Sequence, residues 1–300
     1  MIVWQDRGGG VSCDTVAFMP RVTARDISQI AKERWIVRVK RARHAPARTC
    51  RESPAMSKTP TLRLDRLLAN LGYGSRADVA RLAVRGRVML DGVPLRDTGR
   101  RIALDADLPA RLAVDGAPLD PLPGLVILMH KPLGTTCSHK DDGPLVHDLL
   151  PVRWRGRSPA ISSVGRLDKD TSGLLLLTDD GALLHRIISP KRHIPKTYRA
   201  TLARPLTGEE GAAFAAGTLM LKGETTPLAP ATLEPLSATE ALLTITEGRY
   251  HQVRRMFAAL GNHVTALHRE SLGGLALPDD LAPGDWRLLT AAEVAAVVGD

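Results

Sequence analysis

Apolar residues recur with two different periods along the chain, and the first clear period begins near residue 61. Four leucines within residues 64–71 stand at i, i+3, i+4 and i+7, a spacing that predicts a helix with one buried face. A second helix is predicted to begin at Ser75, whose side chain would cap it while Asp78 reaches back, and to end before Gly86. Short apolar runs on both sides of Asp91-Gly92 predict a β-hairpin.

Beyond residue 124 the pattern changes to short apolar runs that are typical of strands. Strands are predicted within residues 125–129, 174–177, 197–202, 241–246 and 264–268, and helices within residues 182–188 and 250–260. Strands outnumber helices and do not alternate strictly with them. This favours an α+β domain with a mainly antiparallel mixed sheet flanked by helices.

These patterns divide the chain into four parts. We expect a helix–helix–hairpin domain over residues 61–115, a linker rich in proline and glycine over residues 116–123, and a larger domain over residues 124–300. Residues 1–60 have no sustained period and contain many arginines. Either they form a disordered basic arm that binds nucleic acid, or translation begins at Met56 and the leader is a mispredicted extension.

Charge and composition narrow the possible functions only slightly. The formal net charge is +9, but residues 1–55 alone hold 11 Lys and Arg against 5 Asp and Glu, so most of the excess lies in the leader. The three cysteines are widely spaced and form no metal-binding pattern. The chain has no apolar run long enough for a transmembrane helix and no signal-peptide core, so we expect a cytoplasmic protein without a membrane partner.

Local clustering of charge says more about partners than the total does. Residues 61–101 contain nine Arg and four Asp, and the second predicted helix carries three of these arginines. Such a helix suits a phosphate backbone, although a solvated charged face is the common alternative. This stretch also resembles an S4 domain, a module that binds structured rRNA, over residues 62–107. The resemblance implies RNA contacts by Arg66, Arg76, Arg81 and Arg85.

A polar loop before a run of four leucines holds the best catalytic candidate, Asp168. Asp168 and Asp170 would lie at the rim of a buried strand, and strand ends are good platforms for functional groups. An aspartate in such a loop can instead satisfy a turn, and two neighbouring carboxylates can also indicate a hydrolase. The residues of the loop alone leave these alternatives open.

Four segments, in the same order, resemble the pseudouridine synthases of the RsuA/RluA group. They are Lys131-Pro132-Leu133-Gly134, Gly165-Arg166-Leu167-Asp168 with the leucine strand that follows, Lys196-Thr197-Tyr198-Arg199-Ala200, and residues 247–257. Together they span residues 124–290. The resemblance implies an isomerase that detaches uracil from its ribose and rejoins it through C5. Because the reaction loses no atoms and changes no oxidation state, it requires neither a cofactor nor a metal.

The resemblance also implies a role for each matching residue. Asp168 would act on the sugar, either as a nucleophile or by assisting a glycal intermediate, and the sequence does not choose between these routes. Tyr198 would stack on the flipped uracil, although a core tyrosine would show the same strand pattern. Arg254 would pair with Asp168 from a helix whose other face is buried, and phosphate contact is the alternative. Arg166 would fill the space that the flipped base leaves. Lys131, Arg249 and Arg255 would contact RNA.

Residues 249–274 resemble the small-subunit members of the group more than the large-subunit members. This implies action on uridine-516 of 16S rRNA, within an assembling small subunit, by a monomer. One alternative is a 23S rRNA pseudouridine synthase, which would share the chemistry but not the target. A non-catalytic rRNA-binding or assembly factor is the other, and the presence of Asp168, Tyr198 and Arg254 together argues against it.

Overall fold

The computed structural model describes residues 59–138 and 140–299, so both interpretations of the leader concern residues that lie outside the description. The chain from Ser57 to Asp300 forms one unit. It contains an N-terminal module and a larger domain that is built on a nine-stranded sheet. In the described part of the chain, no helix is long and apolar enough to cross a membrane.

The N-terminal module contains the two helices and the hairpin that the sequence predicts. Its elements in chain order are β1 Thr61–Arg63, α1 Leu64–Asn70, α2 Arg76–Val84, β2 Val88–Leu90, β3 Val93–Pro94, β4 Arg101–Ala103, α3 Leu108–Arg111, β5 Leu112–Val114 and β6 Ala117–Pro118. β1 pairs with β4, and the other four strands form a sheet in the order β3-β2-β5-β6. All four leucines of the first helical pattern have 0% exposure. Ser75 and Asp78 form the expected capping box at the start of α2.

The segment expected to be a linker begins with a strand. Residues Ala117 and Pro118 pair with β5 through a turn at Asp115-Gly116, where both residues have positive φ. Asp91-Gly92 has the same backbone form between β2 and β3, as two-residue hairpins require. The proline-rich composition concealed this second hairpin, because the strand after the turn is only two residues long.

The larger domain contains all the predicted strands and both predicted helices, together with several shorter elements. They are β7 Val126–Lys131, β8 Ser162–Ser163, β9 Thr171–Thr178, α4 Gly181–Ile188, β10 Lys196–Leu202, α5 Glu210–Ala215, β11 Thr232–Pro235, β12 Glu240–Ile245, α6 Gln252–Ala259, β13 Val264–Leu272, β14 Leu275–Ala276, β15 Trp286–Leu288 and α7 Ala291–Val298. The main strand order is β11-β12-β10-β13-β9-β7-β15. In the described part of this sheet every strand pair is antiparallel except β9 with β13, which confirms the mainly antiparallel α+β prediction.

The parallel contact between β9 and β13 joins the two halves of the sheet at Gly173. Gly173 lies opposite Arg269 and has a φ of +110°. A Cβ atom at this position would lie 2.3 Å from the backbone oxygen of Arg269 and 2.6 Å from its nitrogen. The two strands can therefore approach this closely only because residue 173 has no side chain.

A buried ion pair fastens the linker to the larger domain. Arg157 and Asp179 lie 2.8 Å apart with side chains that are 1% exposed. Arg157 also donates to the carbonyl oxygen of Pro121, and Asp179 accepts from the backbone N–H of Gly124. If either residue were removed, the other would be a buried charge without its partner. Both residues are therefore needed to hold the linker in its position.

We expect Gly173→Ala to destabilise the protein by about 3 kcal/mol, because the new methyl group would meet strand backbone in a positive-φ conformation. Urea unfolding measures the loss. Gly181→Ala is the matched control, since a Cβ at the start of α4 meets nothing within 4 Å. Its effect should stay within about 1 kcal/mol. Equal, small effects of the two substitutions would contradict the role given to Gly173.

Candidate active site

The loop that carries Asp168 is held at its base by β7 and the turn that follows it. The Lys131 ammonium donates to the carbonyl oxygens of Thr171 at 2.8 Å and Pro132 at 3.0 Å. The backbone N–H of Gly134 donates to the carbonyl oxygen of Lys169 at 2.8 Å. Within the loop, the N–H of Thr171 closes a turn on the carbonyl of Asp168. The Lys-Pro-x-Gly segment therefore fixes the backbone around Asp168.

This position corrects the expectation that Lys131 contacts RNA. Its side chain has 0% exposure and lines none of the cavities around the Asp168 loop, so the ammonium cannot reach an RNA ligand. Burial lowers the pKa of Lys131 below its usual value, while the charges of Cys137, Asp168 and Asp170 oppose that shift. Lys131 instead holds the loop backbone through hydrogen bonds to its carbonyl groups, a role that the sequence motif alone did not reveal.

Asp168 and Tyr198 line one cavity of about 340 Å³. Tyr198 comes from β10 and is 8% exposed, while the Asp168 side chain is 31% exposed. Residues 245–253, from the end of β12 to the start of α6, form much of the remaining wall. The structure thus brings together two of the three residues expected to be catalytic, a carboxylate and an aromatic ring, in a space with both polar and apolar surface.

Arg254, the third expected residue, pairs with Asp170 rather than with Asp168. Its guanidinium lies 2.8 Å from the Asp170 carboxylate and also donates to the Asp170 carbonyl oxygen at 3.0 Å. A further hydrogen bond reaches the carbonyl oxygen of Val264 at 2.9 Å. Arg254 therefore ties the loop that carries Asp168 to β13, and the expected direct pair with Asp168 is not formed.

His251, which sequence reasoning did not place in the site, lies across the cavity from Asp168. Its Nε2 atom lies 3.4 Å from Asp168 Oδ1, an ion-pair distance when the imidazole is protonated. His251 precedes α6 with a φ of 48°, and its ring stacks on Tyr250 at 3.9 Å. An unusual backbone conformation at a helix start is set by the fold, so spacing in the sequence could not have indicated this contact.

The basic residues expected to bind RNA fall into two groups. Arg249 and Arg255 are both held by Glu224 and by backbone carbonyls, so they brace the wall of the cavity. Arg166 is exposed at the cavity and has no ion pair within residues 59–138 and 140–299. Of these three arginines, Arg166 alone can contact a ligand without first breaking an ion pair with another described residue.

The arginines of the N-terminal module are exposed. Arg76 pairs with the buried Asp65, and Arg81 pairs with Asp78, yet both guanidinium groups remain more than half exposed. Arg66 and Arg85 are also exposed, and neither makes an ion pair with another described residue. The surface thus offers the positive charge that a phosphate backbone attracts.

The described residues contain no group of three or more His, Cys, Asp or Glu side chains that could hold a metal ion. What the catalytic cavity itself offers is the Asp168 carboxylate, the Tyr198 ring and the His251 imidazole. This set can attack or deprotonate a sugar and hold an aromatic base beside it.

Two family models match the chain. The model described as RNA pseudouridylate synthase matches residues 125–259, and the model described as S4 domain matches residues 62–107. The first range includes Asp168, Tyr198 and Arg254, and the second includes the arginines of the N-terminal module. Both matches agree with the resemblances found in the sequence.

Relatives match over most of the chain. The ribosomal small subunit pseudouridine synthase A of Escherichia coli K12 is 44% identical over 241 residues, which are 79% of this chain and all of that protein. An uncharacterized RNA pseudouridine synthase of Bacillus subtilis is 41% identical over 78% of this chain and 97% of its own length. A crystal structure of a pseudouridylate synthase matches with a TM-score of 0.56 and 39% identity, covering 79% of this chain and 100% of that one.

We expect Lys131→Met to loosen the Asp168 loop, because methionine fills the space of the lysine but leaves the Thr171 and Pro132 carbonyls without their donor. Hydrogen exchange of a peptide covering residues 165–173 should become about tenfold faster. Lys169→Met removes an exposed charge from the same loop and should leave the exchange unchanged. Unaltered exchange in Lys131→Met would show that the loop does not depend on this lysine.

Proposed function

The chain belongs to the RNA pseudouridylate synthase family, and on that premise we propose that it isomerises uridine-516 of 16S rRNA with Asp168 as the catalytic carboxylate. The observation that carries this proposal is the cavity that joins the Asp168 carboxylate to the Tyr198 ring. The S4 domain match and its exposed arginines support binding to structured rRNA.

The reaction breaks the bond between N1 of uracil and C1′ of ribose, then forms a bond between C5 and C1′. Asp168 starts it from the sugar side, either as a nucleophile at C1′ or as a base that removes the proton from C2′. After the base turns, C5 bonds to C1′, which displaces the Asp168 carboxylate in the first route and is accompanied by return of the proton to C2′ in the second. C5 then loses its proton, while N1 gains one. Atoms and electrons balance without an added reagent.

Tyr198 and Arg254 serve this chemistry in different ways. Tyr198 contributes an aromatic face within the cavity, where the detached uracil can remain stacked while it turns. Arg254 acts as a positioning residue, since its pair with Asp170 and its bond to the Val264 carbonyl hold the loop that presents Asp168. Arg166 at the rim fills the place of the flipped nucleotide in the RNA stack.

The small-subunit target is supported by the relatives that carry the name ribosomal small subunit pseudouridine synthase A and match along their whole length. We extend the proposal to an assembling small subunit as the substrate, reached by a monomer in the cytoplasm. The S4 module, through Arg66, Arg76, Arg81 and Arg85, supplies sequence-independent affinity for the folded rRNA.

Release of tritium from rRNA labelled at C5 of uridine tests the activity directly. The purified chain should release tritium from 16S rRNA, naked or in partly assembled small-subunit particles, and not from 23S rRNA. Asp168→Asn should lower the rate at least about 10⁴-fold, because the carboxylate is the reacting group. Asp279→Asn, at an exposed position, is the matched control. Release from 23S rRNA alone would favour the large-subunit alternative, and full activity in Asp168→Asn would refute the mechanism.

We expect His251→Gln to lower kcat about tenfold with little change in KM, because His251 orients the Asp168 carboxylate rather than binding RNA. Steady-state tritium release over a range of rRNA concentrations separates the two parameters. His263→Gln, which removes an exposed imidazole just after α6, should match the unmodified protein. A change confined to KM would assign His251 to RNA binding instead.

A further inference from the structure

A second cavity of about 360 Å³ adjoins the catalytic cavity and has no assigned role. The two share Gly165, Arg166, Tyr198, Gly248 and Arg249 in their walls. A chain-like ligand whose base occupies the first cavity can therefore extend into the second. Its chemistry should match the groups at the base of this second space.

Of the four basic residues that line the second cavity, Lys196 and Arg269 do not also line the catalytic cavity. Arg269 is 2% exposed; its Nε donates to the Leu174 carbonyl oxygen at 2.7 Å, and its buried Nη2 has no hydrogen-bond partner. Lys196 is partly buried, and its ammonium donates to the Ile194 carbonyl oxygen at 2.8 Å. Both side chains keep donor capacity that the surrounding residues do not use.

Neither cation has a carboxylate partner within residues 59–138 and 140–299. Glu247 lines the same cavity, but its oxygens accept from Arg249 Nε, Gln252 Nε2 and the N–H of Ala229. Elsewhere in this domain, the buried Arg157 does have a carboxylate partner, Asp179. The described residues of the second cavity therefore give these two cations no anionic partner.

Placing two such cations together is unfavourable in the free protein. Burial, with the positive charge of Arg269, lowers the pKa of Lys196 to about 8. An anion between them would remove the repulsion and replace the hydration that burial has taken away. The arrangement thus costs stability when empty and becomes favourable when a negative group enters.

The fold holds these groups on one rigid surface. Lys196 and Tyr198 are two residues apart on β10 and so project to the same side of the sheet. Arg269 lies directly opposite Tyr198 on β13. The distance from the base-binding ring to the cations is therefore set by strand geometry, as a site for one nucleotide and its neighbouring phosphate requires.

We propose that Lys196 and Arg269 bind one phosphodiester group of the RNA chain, next to the nucleotide whose base enters the catalytic cavity. This inference rests on the proposed function, since that function supplies an RNA chain at the neighbouring cavity. The phosphate anchors the flipped nucleotide on the side of Tyr198 shared with the second cavity, so that the ribose stays in reach of Asp168. Arg166, exposed at the mouth, guides the chain into this position.

Binding of a synthetic 16S rRNA fragment around uridine-516 tests the proposal, with single phosphates replaced by neutral methylphosphonates. Asp168→Asn serves as the parent protein so that no turnover occurs. One replacement beside the target should weaken binding to the parent about tenfold. With Lys196→Met added, binding of the unmodified fragment should weaken about tenfold and the same replacement should then cost less than twofold. Lys196→Arg should restore both affinity and sensitivity.

Two further measurements complete the test. Lys196→Met should reduce the slope of log affinity against log salt by about one phosphate contact. Lys222→Met, which removes an exposed lysine, should keep the parent's sensitivity to the methylphosphonate. If no replacement near the target weakens binding, or if Lys196→Met retains full sensitivity, the phosphate site is overturned.

The failure of this site can be distinguished from failure of the proposed function. If Lys196→Met changed neither binding nor methylphosphonate sensitivity, while the unmodified protein released tritium from 16S rRNA normally, only the phosphate site would be rejected. Intact binding and methylphosphonate sensitivity, without tritium release by the unmodified protein, would reject only the isomerisation.

Discussion

β9 and β13 run side by side at Gly173 with no side chain between their backbones, and the site is built around this contact. Beside this contact, the Arg269 guanidinium donates a hydrogen bond to the carbonyl oxygen of Leu174 in β9. The Lys131 ammonium donates to the carbonyl oxygen of Thr171, at the start of the same strand. The loop that carries Asp168 leads into β9 immediately before this contact at Gly173. The contact that joins the two halves of the sheet therefore also positions the loop that presents the Asp168 carboxylate.

Cations dominate the surroundings of Asp168, and the fold gives them separate tasks. Lys131 is buried and holds the loop backbone, while Arg254 ties the loop to β13 through Asp170. Arg166 remains free at the rim among the described residues, and Lys196 and Arg269 stand together without a carboxylate. A negatively charged polymer can thus be drawn to a site whose proposed reacting group is a carboxylate.

Apolar periodicity was sufficient to predict the main helices and strands, because side chains at helical or strand spacing bury one face whatever lies around them. The order of the motifs made Asp168 and Tyr198 candidates, and both line one cavity in the structure. Contacts that depend on how distant segments pack together could not be predicted from the sequence. Three such contacts arise from how the Asp168 loop packs against β7, β13 and α6. They are the burial of Lys131, the pairing of Arg254 with Asp170 and the approach of His251 to Asp168.

Pseudouridine mapping in cells that lack the gene tests the central claim most directly. Carbodiimide treatment of their rRNA, followed by primer extension, should show loss of the modification at uridine-516 of 16S rRNA and at no position of 23S rRNA. The unmodified gene should restore the mark and the Asp168→Asn gene should not. Persistence of the 16S mark in the deletion cells, or its restoration by Asp168→Asn, would contradict the account.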